Sequence, residues 1–198
     1  MKIIGITGGV GAGKSQILNY LKDNYQAKII MADEVAHKVK EKGQSCYEPL
    51  INLLGKDVLD EAGEIDKKKM AARIFADKDL LLGVNQLIHP AVKAYIQNEI
   101  ETEKEKGSVK FLFIEAALLI EDHYDEICDE LWYIYAEESV RTKRLMESRG
   151  YSLLKVQQIM NGQLGDKEFR NNCQFVIDNS HELLNAFKQI DRKLGEYL

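Results

Sequence analysis

Gly8-Gly9-Val10-Gly11-Ala12-Gly13-Lys14-Ser15 spells G-x-x-x-x-G-K-S and follows the apolar run Lys2-Ile3-Ile4-Gly5-Ile6-Thr7. Ile3, Ile4 and Ile6 predict a short strand running into a glycine-rich turn, and Ile17, Leu18 and Leu21 give the next segment one apolar helical face. This is the P-loop pattern, and each part has a physical reason. Glycine lets the backbone curl so that successive N–H groups point at phosphate oxygens. The start of the next helix adds orphan N–H donors and a positive dipole end. Lys14 supplies a point charge for β- and γ-phosphates, and the Ser15 hydroxyl is placed to ligate Mg²⁺. Gly11, Ala12, Gly13, Lys14, Ser15 and Gln16 are therefore the candidate nucleotide-binding residues. The motif implies a bound nucleoside triphosphate and leaves open the fate of its γ-phosphate.

The chain has 198 residues, enough for one domain with a substantial core. Its apolar fraction of 45% and charged fraction of 30% are those of a water-soluble globular protein. Net charge is −5, and no basic stripe marks a nucleic-acid partner. The charge cluster from Glu99 to Lys106 alternates in sign and reads as a solvated helix face. Cys46, Cys128 and Cys173 are far apart, so free thiols in a reducing compartment are expected. The four histidines show no zinc-ligand spacing. No signal peptide is expected, since the given sequence opens directly on a predicted strand, and no apolar run reaches membrane-spanning length. The expectation is a cytoplasmic protein, a monomer or weak homo-oligomer, with neither nucleic acid nor membrane as partner.

Further strands are expected over Lys28 to Ala32, Lys110 to Ala116, Leu131 to Ala136 and Phe175 to Ile177. Their near-continuous apolar character predicts an α/β fold with a five-stranded parallel sheet flanked by helices. Leu183, Leu184, Phe187, Ile190 and Leu194 predict a C-terminal helix packed on that sheet. The middle is helical, punctuated by Pro49, Gly55, Gly63 and His89-Pro90, and is too long for an ordinary crossover. It reads as a helical substrate-binding insertion over 44–106. A second helical and polar stretch, 151–172, reads as a lid. The P-loop core then comprises 1–43, 107–150 and 173–198.

The chain lacks N-K-x-D, so a guanine-nucleotide switch is disfavoured, and Asp60-Glu61-Ala62-Gly63 matches D-x-x-G only within the insertion. A small kinase fits better. It needs a carboxylate for the acceptor hydroxyl and cations for the moving charge. Asp33, after the second strand, is the candidate carboxylate, although it could instead cap the helix that follows. Glu115, ending the third strand, is a candidate Mg²⁺ partner. Arg141 and Arg144 share one helical face and can bridge phosphates, with Arg149 further along; a solvated basic face is the alternative.

Beyond these residues, the order of motifs resembles the dephospho-coenzyme A kinase family along essentially the whole chain. Gly5 to Ser15 is similar to that family's P-loop, and Ala32-Asp33-Glu34-Val35-Ala36 to its D-A-D-x-x-A segment. Ile88-His89-Pro90-Ala91-Val92 resembles its H-P segment, and Leu118-Leu119-Ile120-Glu121 the end of its P-L-L-F-E motif. Arg144-Leu145, Gln163 and Val176-Ile177-Asp178-Asn179-Ser180 follow the order of its lid and final strand. The resemblance implies transfer of the ATP γ-phosphate, with Mg²⁺, to the ribose 3′-hydroxyl of dephospho-coenzyme A. It casts Asp33, Lys14 and Arg144 as catalytic, His89, Leu118 and Glu121 as acceptor-binding, and Asn179 as lying near the adenine.

The chain departs from the family pattern at several points. Met31 replaces the first aspartate of D-A-D, Ala117 the proline of P-L-L, and Ile159 a lid arginine. Ser148-Arg149-Gly150 replaces an R-D-G-like triplet, and Cys173-Gln174 replaces Ala-Asp. Two other readings share the P-loop: a kinase for a nucleoside monophosphate or small metabolite, and a nucleotide-gated interaction protein.

Overall fold

In the computed structural model, which describes residues 1–197, five strands form one sheet in the order β2-β3-β1-β4-β5. The strands are β1 (Lys2–Thr7), β2 (Ala27–Met31), β3 (Phe111–Glu115), β4 (Glu130–Tyr135) and β5 (Phe175–Asp178). β1 pairs in parallel with β3 on one side and β4 on the other, and β4 pairs in parallel with β5. All five residues of β3 are buried, as expected for a strand covered on both faces. Because β1 lies between β3 and β4, the chain after β1 leaves from the middle of the sheet. The connection after β1 runs to the β2 edge and the one after β3 crosses towards β4. The carboxyl ends of β1 and β3 therefore bracket the crevice where open α/β sheets bind ligands.

The chain divides into two compact units. The first comprises Met1–Ile29 and Gly107–Leu198. It holds α1 (Lys14–Asn24), α6 (Glu138–Arg149), α7 (Leu153–Asn161), α8 (Asp166–Asn172) and α9 (Leu183–Gly195). Trp132 and Phe113 are fully buried in its sheet, with ring centroids 5.9 Å apart. α9 buries Ala186, Ile190 and Leu194, spaced four apart, and packs on β5 and α1. Leu184, expected on that face, is exposed: the buried stripe runs through the smaller Ala186 instead. The 151–172 stretch is less polar in its packing than its composition implies. Val156 is fully buried and Phe169 stacks on Tyr133 with ring centroids 4.6 Å apart.

The second unit, Ile30–Lys106, is helical: α2 (Ala32–Lys38), α3 (Tyr47–Leu54), α4 (Lys67–Ala76) and α5 (Lys78–Lys106). Asp66 caps α4 by accepting from Lys68 N at 2.7 Å and Lys69 N at 3.0 Å. α5 buries Val84, Ile88, Val92, Ile96 and Ile100, and α2, α3 and α4 pack against it. His89-Pro90 does not punctuate this region. α5 runs through Pro90 unbroken for 29 residues, held by the apolar stripe that its neighbours cover. Nor is the Glu99–Lys106 segment uniformly solvated. Glu103 is buried and pairs with Lys106 at 3.0 Å. Asp60-Glu61-Ala62-Gly63 is a local turn in which Asp60 Oδ1 accepts from Ala62 N and Glu64 N.

Ile96 has no exposed surface, and truncating it opens a cavity along the buried stripe of α5. Ile96→Ala is expected to cost about 2–5 kcal/mol in stability. Urea denaturation followed by far-ultraviolet circular dichroism measures it, and a loss below 0.5 kcal/mol contradicts the packing.

Candidate active site

The loop between β1 and α1 carries positive φ at Gly8 (152°), Gly11 (79°) and Gly13 (91°). At Gly8 a Cβ would meet the Ile134 carbonyl oxygen at 2.5 Å, so only glycine lets the loop leave β1 against β4. Gly13 is the N-cap of α1 and puts Lys14 and Ser15 at the helix start. Lys14 Nζ donates to Gly8 O at 2.6 Å, closing the loop across its own mouth. It also lies 3.7 Å from Glu115 Oε1. The sheet register accounts for that approach: Glu115 pairs with Ile6, two residues before Gly8. Glu115 is buried, so a cation beside it compensates a charge removed from water.

The loop's carbonyls are tied from outside. Arg141 Nε donates to Val10 O at 2.9 Å. Asn179 Nδ2 donates to Ala12 O at 2.8 Å, and Arg144 Nη1 reaches the same oxygen at 3.4 Å. Arg144 Nη2 donates to Asn179 O at 2.9 Å. The 162–165 turn also takes part, with Gln163 Oε1 accepting from Val10 N at 2.9 Å. Both arginines expected on one face of α6 thus converge on the loop, and Asn179 touches the loop itself. Asn179 is fully buried, and its Oδ1 has no hydrogen-bond partner. An orphaned buried acceptor beside a phosphate loop marks a place where a ligand or a loop shift can supply a donor.

Leu118 and Glu121 lie in the turn after β3, both exposed to solvent. Asp33 and His89 belong to the other unit. Asp33 does not cap α2: the N-cap is Met31, without a side-chain bond, and Asp33 occupies the first turn. Its carboxylate is therefore not consumed as a cap, and its charge there suits the helix dipole. His89 lies within α5, half-buried. Among the described residues no cluster of three His, Cys, Asp or Glu side chains could hold a metal by itself. The Ser15 hydroxyl and Glu115 carboxylate beside Lys14 are hard oxygen donors. They fit Mg²⁺ that takes most of its coordination from phosphates and water.

A P-loop on a parallel sheet in 2-3-1-4-5 order, with a lysine, a buried carboxylate and two arginines converging on the loop, defines a P-loop phosphotransferase. Comparison with known proteins narrows the class. The family model described as dephospho-CoA kinase matches residues 2–185. A dephospho-CoA kinase of Streptococcus mutans is 36% identical over 196 residues, covering 98% of this chain and 96% of the relative. One of Listeria innocua is 35% identical over 191 residues, covering 96% and 94%. A solved structure from Thermus thermophilus, 25% identical, superposes with a TM-score of 0.81 over 100% of this chain and 98% of that one. The chain belongs to the dephospho-CoA kinase family. It is a transferase that uses ATP to phosphorylate dephospho-CoA to coenzyme A.

Gln163 was visible in the sequence only as part of a motif order; its bond to Val10 N needed the fold. Asn179→Asp sets a carboxylate against the Ala12 carbonyl at a fully buried position. The variant is expected to lose about 2 kcal/mol of stability or more and to bind ATP roughly tenfold more weakly. Thermal melts and equilibrium ATP binding check this, and unchanged binding would show that Asn179 does not set the loop.

Proposed function

We propose that Asp33 orients the acceptor's ribose 3′-hydroxyl and accepts its proton while Lys14 and the loop hold the γ-phosphate for in-line attack. The observation that carries the donor half is the closed loop with Lys14 Nζ 2.6 Å from Gly8 O and 3.7 Å from Glu115. Gly11, Ala12, Gly13, Lys14, Ser15 and Gln16 bind the triphosphate in this reading. The Ser15 hydroxyl and the Glu115 carboxylate would hold Mg²⁺, which would supply neutralisation of charge on the phosphates.

Arg144 and Arg141 stabilise the charge that develops on the transferred group, from positions already fixed by backbone carbonyls. Asn179 borders the adenine side of the loop, and its unpartnered Oδ1 accepts a donor there. His89, Leu118 and Glu121 contribute to acceptor binding. The 151–172 segment acts as lid through Gln163, and the 44–106 helices as the acceptor-binding part. Asp33 supports its role by being an exposed carboxylate in the first turn of α2 that no cap bond engages. The enzyme works in the cytoplasm as a monomer or weak homo-oligomer on two small molecules. No helix among the described residues is long and apolar enough to cross a membrane.

Two substitutions test the assignment by steady-state kinetics. Asp33→Asn is expected to lower kcat by about 10²-fold or more with KM for ATP little changed, as for loss of a general base. A kcat within threefold of the parent would remove Asp33 from the chemistry. Lys14→Ala is expected to lower kcat/KM for ATP by about 10³-fold, the scale of a lost charge contact to the transferred phosphate. Near-normal turnover would contradict the donor site.

A further inference from the structure

Within the Ile30–Lys106 unit, two lysines and a histidine gather at a recess that the mechanism above leaves unused. His37 and Lys40 follow Asp33 at i+4 and i+7, one stripe along α2 and its C-terminal turn, where Lys40 N donates to His37 O at 3.2 Å. Lys67 opens α4 on the far wall. Together with Glu41, Glu64 and Met70 they line a cavity of about 210 Å³. That is smaller than the 300 Å³ or more that a whole drug-sized ligand takes, and it suits one polar fragment of a larger molecule.

The charges in this recess are not at rest. Burial, then Lys40 and Lys67, hold His37 below its usual value, with Asp33 pulling the other way. Burial, then Lys67, lower Lys40, opposed by Cys46 and Asp33. His37, Lys40, Lys67 and Asp33 are thus close enough to act on one another. Lys40 is half-buried, and it and Lys67 repel each other in a chain whose net charge is −5. Glu41 and Glu64 temper the site, and Glu64 Oε2 already accepts from Lys42 N at 3.3 Å. An anion placed between Lys40 and Lys67 relieves their repulsion and takes charge-assisted hydrogen bonds, with the neutral His37 imidazole as a further N–H donor.

We propose that His37, Lys40 and Lys67 form the subsite that holds the diphosphate of the acceptor, with Asp33 at the ribose end of the same stripe. The inference rests on the assignment of Asp33 to the acceptor hydroxyl. Four and seven residues of helix rise about 6 and 10.5 Å. The 3′-hydroxyl and the 5′-phosphates flank one sugar, a separation of that order. Dephospho-CoA is a dianion at its diphosphate, so the subsite reads the feature that separates it from an uncharged ribose.

Lys40→Ala and Lys67→Ala, singly and together, test the subsite. Each single variant is expected to raise KM for dephospho-CoA about tenfold and the double about a hundredfold, the cost of lost charge-assisted contacts. KM for ATP should stay within twofold and kcat within threefold. Lys40→Arg should retain most of the affinity. Lys40→Met keeps the apolar stem and serves if the alanine variant melts early. An unchanged KM for dephospho-CoA in a folded double variant overturns the subsite, as does an equal rise in KM for ATP. If the lysine variants raise KM while Asp33→Asn spares kcat, the subsite stands and the hydroxyl assignment falls. The reverse pattern keeps Asp33 and discards the subsite.

Discussion

The site depends on how the P-loop's own backbone is held. A loop that must turn its N–H groups towards phosphate has to turn its carbonyls elsewhere, and buried carbonyls need donors. Here Val10 O is met by Arg141, and Ala12 O by Asn179 and Arg144. These donors come from α6 and from the residue after β5, elements far from the loop in sequence but neighbours through β4. The sheet order is therefore part of the binding site. Unless β4 lies beside β1 and β5 beside β4, the loop lacks these external donors and its conformation is only one of many a glycine-rich segment can adopt.

This arrangement gives the two arginines a double part. A guanidinium presents several N–H groups in a rigid fork. Arg144 spends some on Ala12 O and Asn179 O and Arg141 one on Val10 O, so both charges are fixed beside the loop before any ligand arrives. Electrostatic stabilisation of this kind needs no reorganisation during the reaction. Glu115 makes the matching contribution on the other side of β1, keeping Lys14 company in a place poor in water.

Much of this was readable in the sequence because it is local. The glycines, Lys14 and Ser15 are contiguous, and the apolar runs of β1, β3 and β4 announce buried strands. The arginine face of α6 follows from a spacing of three. What escaped was set by partners distant in sequence. Asp33 looked like a possible helix cap, but the cap lies two residues earlier, at Met31, and makes no side-chain bond that the sequence could announce. Pro90 looked like a break, yet α5 continues because Val84 to Ile100 form one buried stripe with covering helices. Gln163 carries no local signal for its bond to Val10 N. Lys40 and Lys67 are separated by 26 intervening residues, and only the folding of α4 against the same unit brings them to one recess. The i, i+4, i+7 spacing of Asp33, His37 and Lys40 was the one readable hint.

The distribution of charge gives the chain its chemical logic. An acidic protein that must bind two polyanionic substrates cannot rely on long-range attraction, since its overall field repels them. It has to concentrate cations locally. One unit does so around a single buried carboxylate, Glu115, with Lys14, Arg141 and Arg144 near the loop. The other sets Lys40 and Lys67 beside His37, with Asp33, Glu41 and Glu64 as nearby carboxylates. At the loop, one carboxylate is too few in charge to cancel its cations, so the surplus is available to phosphate. Desolvation sharpens the effect, because the same surplus charge acts more strongly where water is scarce. A phosphate beside the loop then lowers the repulsion among Lys14, Arg141 and Arg144, and affinity is gained where the chain is locally, rather than globally, positive.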